Sequence, residues 1–387
     1  MSAHDTDNER RTIAHLDLDS FFVSVERLLN NRLRDRPVII GGLSDRGVVS
    51  ACSYEARSFG VHSAMPARMA RQLCPDAIFM RGDMELYSRY SRMVTDIIAD
   101  RAPVFEKASI DEHYLDITGM DRFFGSQKWT HELRNTIIRE TGLPISCGLS
   151  INKTVSKIAT GVAKPNGEQQ VEKSIVRPFM APLSIRKIPM LGPKSYTLLR
   201  SMGVATIGVL SQLPPDMMQR LMGQNGLMLW KRANGIDHTP IISYSEQKSM
   251  SNETTFDTDT TDVVMMRRTL SRMIEKLGYQ LRRDGRMTGC VTIKIRYANF
   301  DTHTLQKQIP YAGLDHDLIA VAYDLFTRLY TRRILVRLIG LRFSNMVGGA
   351  HQLHLFDDAP EMISLYQSLD TIRQRFGQGA VRRGVVV

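Results

Sequence analysis

The first 150 residues run strand, helix, strand, strand, helix, strand, with a large insertion after the first strand. That order is the split βαβ pattern, a mainly antiparallel sheet with helices on one face. The opening strand is TIAHLDL, residues 12–18, in which Ile13, His15 and Asp17 alternate with Ala14, Leu16 and Leu18. A period of two sends the two sets to opposite faces, so one face carries a carboxylate. Ser20 or Asp19 stands where it can cap a helix running through Phe21, Val25, Leu28 and Leu29, and the helix cap is the preferred role for Asp19.

Within the insertion, RPVIIGG is a short buried strand. GVVSACSYEARSFGV is a strand passing into a helical turn that ends at Gly60. A helix from Pro66 puts Met69, Ala70 and Leu73 on one side. A longer amphipathic helix follows, with Leu86, Tyr90, Met93, Ile97 and Ile98 as its apolar stripe. ASIDEHYLDI is a strand with a charged centre, and helix 127–141 precedes the strand PISCGLSI.

The character changes after AKPNG. Residues 172–240 carry short helices separated by Gly and Pro, and SYSEQKSMSNETT is a polar linker into an edge strand. Residues 250–348 form a second α+β unit. Leu270, Met273, Leu277 and Leu281 point inward from helix 263–283, and Leu318, Ile319, Ala322, Leu325, Phe326 and Leu329 do so from helix 315–331. Strand 290–297 sets Val291, Ile293, Ile295 and Tyr297 against Thr292, Lys294 and Arg296, and ILVRLIGLRFSN closes the unit.

At 387 residues the chain is long enough for two to four domains of about 150 residues each. Lys plus Arg exceed Asp plus Glu by 51 − 40, a net +11, which favours a polyanionic partner: nucleic acid first, an anionic membrane surface second. No apolar run reaches about 18 residues, and the polar start lacks the apolar core of a secretory signal. Residues 1–11 are read as a disordered tail. Cys52, Cys74, Cys147 and Cys290 are far apart and form no CxxC pair, so reduced, buried thiols in the cytoplasm are expected.

The chemistry concentrates in three carboxylates. Asp17 sits on the first strand, and Asp111 and Glu112 open the charged one. Carboxylates on adjacent strands repel unless cations lie between them. With oxygen ligands and no His or Cys cluster beside them, Mg²⁺ or Mn²⁺ is favoured over zinc. Spacing alone also allows a solvated strand end with a few salt bridges.

Four strings in order, HLDLDSFFVSVE, SYEARSFGV, SIDEHYLD and GLSINKTVSKIATGVAKPNG, resemble the Y-family, translesion DNA polymerases, and the bacterial polymerase IV branch in particular. The resemblance covers residues 12–348. It implies an α+β protein: a ferredoxin-like palm (12–20 and 83–171), small fingers (21–82), an all-helical thumb (172–240), a linker (241–249) and a second α+β little finger (250–348). Residues 349–387 would hold a clamp-binding motif and a tail.

The resemblance also implies roles. Asp17, Asp111 and Glu112 match the catalytic metal ligands, joined by the Leu18 carbonyl, for two Mg²⁺ ions that Mn²⁺ can replace. Phe22 matches the steric gate that excludes a 2′-hydroxyl, and Phe21 is core beneath it. Tyr54, Arg57 and Lys164 match the triphosphate contacts, with Arg57 suited to a bidentate grip. Backbone N–H groups around Phe21–Val23 add an anion site. His113 stands where the family often has Ala; it should face away from Glu112 and pack.

On the thumb, IPMLGPKSYTLLRSMGV resembles a phosphate-gripping helical hairpin, but only Gly192 remains where two glycines are usual. In the little finger, Lys294, Arg296, Arg342 and Ser344 share a face suited to a duplex backbone, giving binding with strong salt dependence. Near the end, Gln352, Leu353, Leu355 and Phe356 resemble the sliding-clamp motif, and Ile363, Tyr366, Leu369 and Ile372 give the tail a helical period. The implied activity is template-dependent, error-prone insertion of dNTPs at a primer 3′-hydroxyl opposite damaged bases, without proofreading. Primer-template DNA, dNTP and the sliding clamp are the partners of a cytoplasmic monomer with no membrane role. A non-catalytic clamp- and DNA-binding relative would lack the carboxylates. A palm-fold nucleotidyl cyclase would have no use for the thumb, the basic module or the clamp peptide.

Overall fold

The computed structural model describes residues 11–120, 125–244, 246–349, 359–381 and 383–384. The chain divides into two compact units at residues 245/246. The first unit begins with β1 (Ile13–Leu18) and α1 (Phe21–Leu29), then β2 (Val38–Gly41), β3 (Val49–Cys52), α2 (Tyr54–Ser58), α3 (Ala67–Leu73) and β4 (Ile78–Met80). These lead into α4 (Met84–Ala99), β5 (Val104–Lys107), β6 (Glu112–Asp116), α5 (Ser126–Thr141), β7 (Ile145–Ser150), α6 (Lys153–Ala163) and β8 (Glu168–Gln170).

The main sheet has the order β5-β6-β1-β7-β8, so β1 is central, antiparallel to both β6 and β7. Ala14, Leu16 and Leu18 of β1 join Leu115 and Ile145 in a core closed by Val94 and Ile98 of α4 and Leu133 and Ile137 of α5. The split βαβ order is present, and the inserted strands form a separate sheet, β3-β2-β4. Helices on one face alone is corrected: α6 covers the opposite face. Ser156 Oγ donates to the Ile13 carbonyl at 2.7 Å, and Thr160 Oγ1 to the His15 carbonyl at 3.1 Å. Gly148, opposite His15, makes the approach possible, since a Cβ there would lie 2.1 Å from the Ser156 carbonyl oxygen.

Three local expectations change. On α4, Ile98 of the expected stripe is buried and Leu86, Tyr90 and Ile97 pack partly buried against the core, but Met93 is exposed and Tyr87, Ser91 and Val94 complete the buried row; Met69 and Leu73 of α3 are exposed as well, and only Ala67 and Ala70 are buried there. Neither Ser20 nor Asp19 caps α1. Ser20 occupies the cap position in a left-handed conformation (φ 43°) with no side-chain cap bond, while the Asp19 carboxylate is engaged elsewhere.

A helical segment follows with α7 (Val176–Met180), α8 (Pro193–Ser201), α9 (Ile207–Gln212) and α10 (Pro215–Ala233), the last interrupted at Gly223. Their apolar residues pack with Val155, Ile158 and Ala159 of α6.

The second unit contains β9 (Ser249–Thr260), α11 (Val263–Arg283), β10 (Arg286–Tyr297), β11 (Thr302–Ala312), α12 (Asp315–Leu329), β12 (Val336–Gly348) and α13 (Ala359–Phe376). Its sheet order is β11-β10-β12-β9, with one core formed against α11 and α12. Strand β11 is an addition to the sequence reading. Helix α13 is tied to this unit: Tyr366 is buried, and Arg282 bridges Asp315 and Asp370. Among the described residues no helix is long and apolar enough to cross a membrane, and all four cysteines are free and buried.

Candidate active site

Asp17, near the end of β1, pairs directly with Glu112, the first residue of β6. The register follows from the pleat: Asp17 and His15 share one face, as do Glu112 and Tyr114. The facing helix α6 and the loop after it supply the counter-charges. Lys157 Nζ lies 2.6 Å from both Glu112 oxygens, and Lys164 Nζ lies 2.5 Å from Asp17 Oδ1. Burial pushes the Asp17 carboxyl up to about 6 against the pull of Lys164, and Glu112 and Asp111 push the same way.

Asp111 stands slightly apart. Its carbonyl accepts from the Leu18 N–H at 3.1 Å, and its carboxylate accepts from Ser109 Oγ at 2.5 Å. Among the described residues, Asp17, Glu112 and His15 bring ligand atoms within 4.8 Å of one another. His15 is a single histidine beside the carboxylates, not a His or Cys cluster. His15 is fully buried, and burial followed by Lys157 and Lys164 holds its pKa well below the usual histidine range. Its Nδ1 lies 2.9 Å from Thr160 Oγ1. Thr160 Oγ1 also lies 3.1 Å from the His15 carbonyl and 2.9 Å from the Ser156 carbonyl, and Nε2 is the other ring nitrogen. That nitrogen has no hydrogen-bond partner and lies 4.0 Å from Glu112 Oε2. The two carboxylates, directed together, are oxygen donors of the kind that can hold a divalent cation.

The nucleotide candidates gather around the same strand end. Tyr54 starts α2, which Ser53 caps. Tyr54 Oη donates to Asp19 Oδ1 at 2.9 Å, and the Arg57 guanidinium lies over the Tyr54 ring, 4.6 Å from its centre. Burial, and then Asp19, push the Tyr54 hydroxyl pKa upward. Lys164 follows α6 and also lies 3.8 Å from Asp19 Oδ1. Phe21, Phe22 and Val23 form the first turn of α1, ahead of its first backbone bond from Ser24 N to the Ser20 carbonyl. Phe21 and Val23 are buried. Phe22 is half-buried and stacks on Tyr87.

His113 faces away from Glu112 into the main core, fully buried, with Nε2 3.0 Å from Thr95 Oγ1. Burial holds its pKa down to about 3, with Lys107 adding to the effect. Sequence reasoning missed Lys157, although it lies one helical turn after Lys153 on the face toward the carboxylates, and it missed His15, visible as the residue two before Asp17. Tyr87 carried no distinctive signal, and the signal at Asp19 was that of a helix cap.

The other candidates lie elsewhere. Gly192 caps α8 at φ −71°, with open space where a Cβ would be; the left-handed residue of that turn is Met190. In the second unit, Lys294, Arg296, Arg342 and Ser344 share the sheet face turned away from the core. The face is of mixed charge, since Lys294 Nζ pairs with Glu253 at 2.9 Å. Gln352, Leu353, Leu355 and Phe356 lie outside the described residues.

A sheet with paired carboxylates at the ends of its central strands, counter-charged by Lys157 and Lys164 and approached by Tyr54 and Arg57, gathers acidic and basic groups at one strand end. The family model described as the impB/mucB/samB family matches residues 16–161, and the model of its C-terminal domain matches residues 247–355. A DNA polymerase IV of Dehalococcoides mccartyi is 40% identical over 379 residues, covering 97% of each chain. One from Methanoculleus marisnigri is 35% identical over 352 residues, covering 90% of this chain and 98% of its own. Among solved structures, a Y-family DNA polymerase chimera superposes with a TM-score of 0.76 at 25% identity, covering 87% of this chain and all of its own. The chain belongs to the impB/mucB/samB family of Y-family DNA polymerases, with DNA polymerase IV proteins among its relatives. It is a DNA-directed DNA polymerase of the translesion type, acting on primer-template DNA and dNTPs.

Proposed function

We propose that this polymerase extends a primer by metal-assisted nucleotidyl transfer at Asp17, Asp111 and Glu112, without proofreading. The observation that carries the reading is the direct pairing of Asp17 with Glu112, each held by its own lysine. Two Mg²⁺ ions, for which Mn²⁺ can substitute, would be held by the three carboxylates and the Leu18 carbonyl; a divalent pair supplies charge for the attacking and leaving oxygens.

The chain's own residues do the rest. Arg57 and Tyr54 receive the triphosphate from the side of α2, and Lys164 from the loop after α6. The first-turn N–H groups at Phe21–Val23 add donors. The Phe22 ring excludes a 2′-hydroxyl. Residues 12–20 with 83–171 act as palm, 21–82 as fingers, 172–240 as thumb, 241–249 as linker and 250–348 as little finger. In the last of these, Lys294, Arg296, Arg342 and Ser344 track the DNA backbone, as Gly192 does from the thumb. Gln352, Leu353, Leu355 and Phe356 bind the sliding clamp, and the protein works in the cytoplasm as a monomer.

Primer extension with Mg²⁺ tests the core of this. Asp111→Ala and Glu112→Ala should each abolish extension while primer-template affinity stays within about threefold, because the carboxylates act on the transition state. Extension at the parental rate by either folded variant would remove the metal assignment.

A further inference from the structure

Asp19 is two residues beyond Asp17 and has so far been given no task. Its carboxylate is 2% exposed. Oδ1 accepts the Tyr54 hydroxyl at 2.9 Å, and Oδ2 accepts both Ser146 Oγ and the Asn166 N–H at 2.7 Å. Lys164 Nζ lies 3.8 Å from Oδ1. These partners come from three separate stretches: α2 of the insertion, β7 of the main sheet, and the loop after α6. A buried carboxylate requires partners. Besides Ser146, they are two of the three proposed triphosphate residues and the backbone beside one of them.

The geometry also limits what Tyr54 can do. Its single hydroxyl proton is given to Asp19, so its ring is anchored at the Oη end. The Arg57 guanidinium rests on that ring. Arg57 is otherwise a long side chain with freedom to lose on binding. Fixing the ring fixes the platform under the guanidinium, and holding Asn166 fixes the loop that carries Lys164. Preorganised cations bind a polyanion without a further ordering cost.

We propose that Asp19 is a positioning residue for the nucleotide: it sets Arg57, through Tyr54, and Lys164 at the places where the triphosphate is received. The proposal rests on the triphosphate reading of Tyr54, Arg57 and Lys164 given above. It assigns Asp19 to nucleotide affinity and gives it no part in the bond-making step.

The test is single-nucleotide insertion of dGTP opposite template dC by the full chain, with Asp19→Asn, Tyr54→Phe and the double variant. Asp19→Asn should raise the KM for dGTP at least tenfold and change kcat less than threefold. Because Asp19 acts on Arg57 through the Tyr54 hydroxyl, the double variant should exceed the larger single effect by no more than about twofold. An unchanged KM in folded Asp19→Asn, a loss confined to kcat, or single effects that simply multiply would each overturn the proposal. If Asp19→Asn does not fold, Ser146→Ala removes one donor from Oδ2 and carries the test: a raised KM supports the proposal and an unchanged one overturns it. Arg57→Ala separates the two layers. An unchanged KM there removes the triphosphate reading itself, whereas a raised KM with Asp19→Asn at the parental value removes the Asp19 assignment alone.

Discussion

The ring of Phe22 lies flat on the ring of Tyr87, with centroids 4.3 Å apart and planes 12° from parallel. Tyr87 is itself fixed, buried in the core between β1 and α4, with its hydroxyl donating to Glu26 Oε1 at 2.6 Å. A stacked ring on an anchored partner is hard to displace. Phe22→Ala should therefore open the space that a 2′-hydroxyl needs. GTP use opposite cytosine should rise at least tenfold relative to dGTP, about 1.4 kcal/mol, read as the ratio of the two kcat/KM values. Losing the half-buried ring costs about 1–3 kcal/mol of stability, so urea unfolding accompanies the kinetics. Unaltered sugar discrimination in the folded variant would return Phe22 to the core.

The carboxylate register was legible because a strand has a strict period: once TIAHLDL and SIDEHYLD are strands, Asp17 and Glu112 must emerge on a face. The same period put His15 beside them. Helix α6 was harder to place. Its amphipathic pattern says that it is buried without saying against which face, and the only local clue is the single glycine at 148. Strand β11 was hidden because its apolar residues, Leu305 and Ile309, are four apart, and the ladder with β10 shifts register between Thr288 and Cys290. Asp19 looked like a helix cap because Asp and Ser before an apolar run is the ordinary cap signal. The long-range partners Tyr54, Ser146 and Asn166 outcompete that local bond, and no local pattern reports them.

Gly148→Ala tests the seating of α6. The added methyl would meet the Ser156 carbonyl oxygen at 2.1 Å and the Thr160 nitrogen at 2.5 Å. Both are backbone atoms, so the helix itself must move. The expected loss is about 1–3 kcal/mol or more, seen as a lower urea midpoint. Because Lys157 and Lys164 travel with α6 and the loop after it, extension should fall as well. A variant as stable and active as the parent would mean that the helix has slack against the sheet.

Replacing both Leu355 and Phe356 by alanine should leave insertion of a single nucleotide unchanged and remove stimulation by the sliding clamp. Each buried side chain contributes about 1.5–3 kcal/mol, less the cost of ordering the segment. Clamp-stimulated synthesis at the parental level in the double variant would reject the motif.

Asp237 gives a test by pH. Its Oδ2 accepts the Thr154 backbone N–H at 3.1 Å and the Thr154 hydroxyl at 2.7 Å, and its Oδ1 accepts the Thr239 hydroxyl at 2.6 Å. It thus fastens the chain after α10 to the first turn of α6, helped by Asn152 donating to the Gly235 carbonyl at 2.8 Å. Burial pushes the Asp237 carboxyl up, but the bonds from Thr239 and Thr154 outweigh it and hold the group below the model-peptide value of 3.8. A carboxyl lowered in the folded state stabilises above its unfolded pKa and loses that contribution as pH falls through its folded one. Asp237→Ala should therefore lower stability by about 1–3 kcal/mol at pH 6–7. The gap between parent and variant should narrow only below about pH 4. Urea midpoints of both proteins from pH 3 to 7 measure it. A gap that closes as pH rises, or that is absent at neutral pH, would mean that these hydrogen bonds do not favour the charged carboxylate.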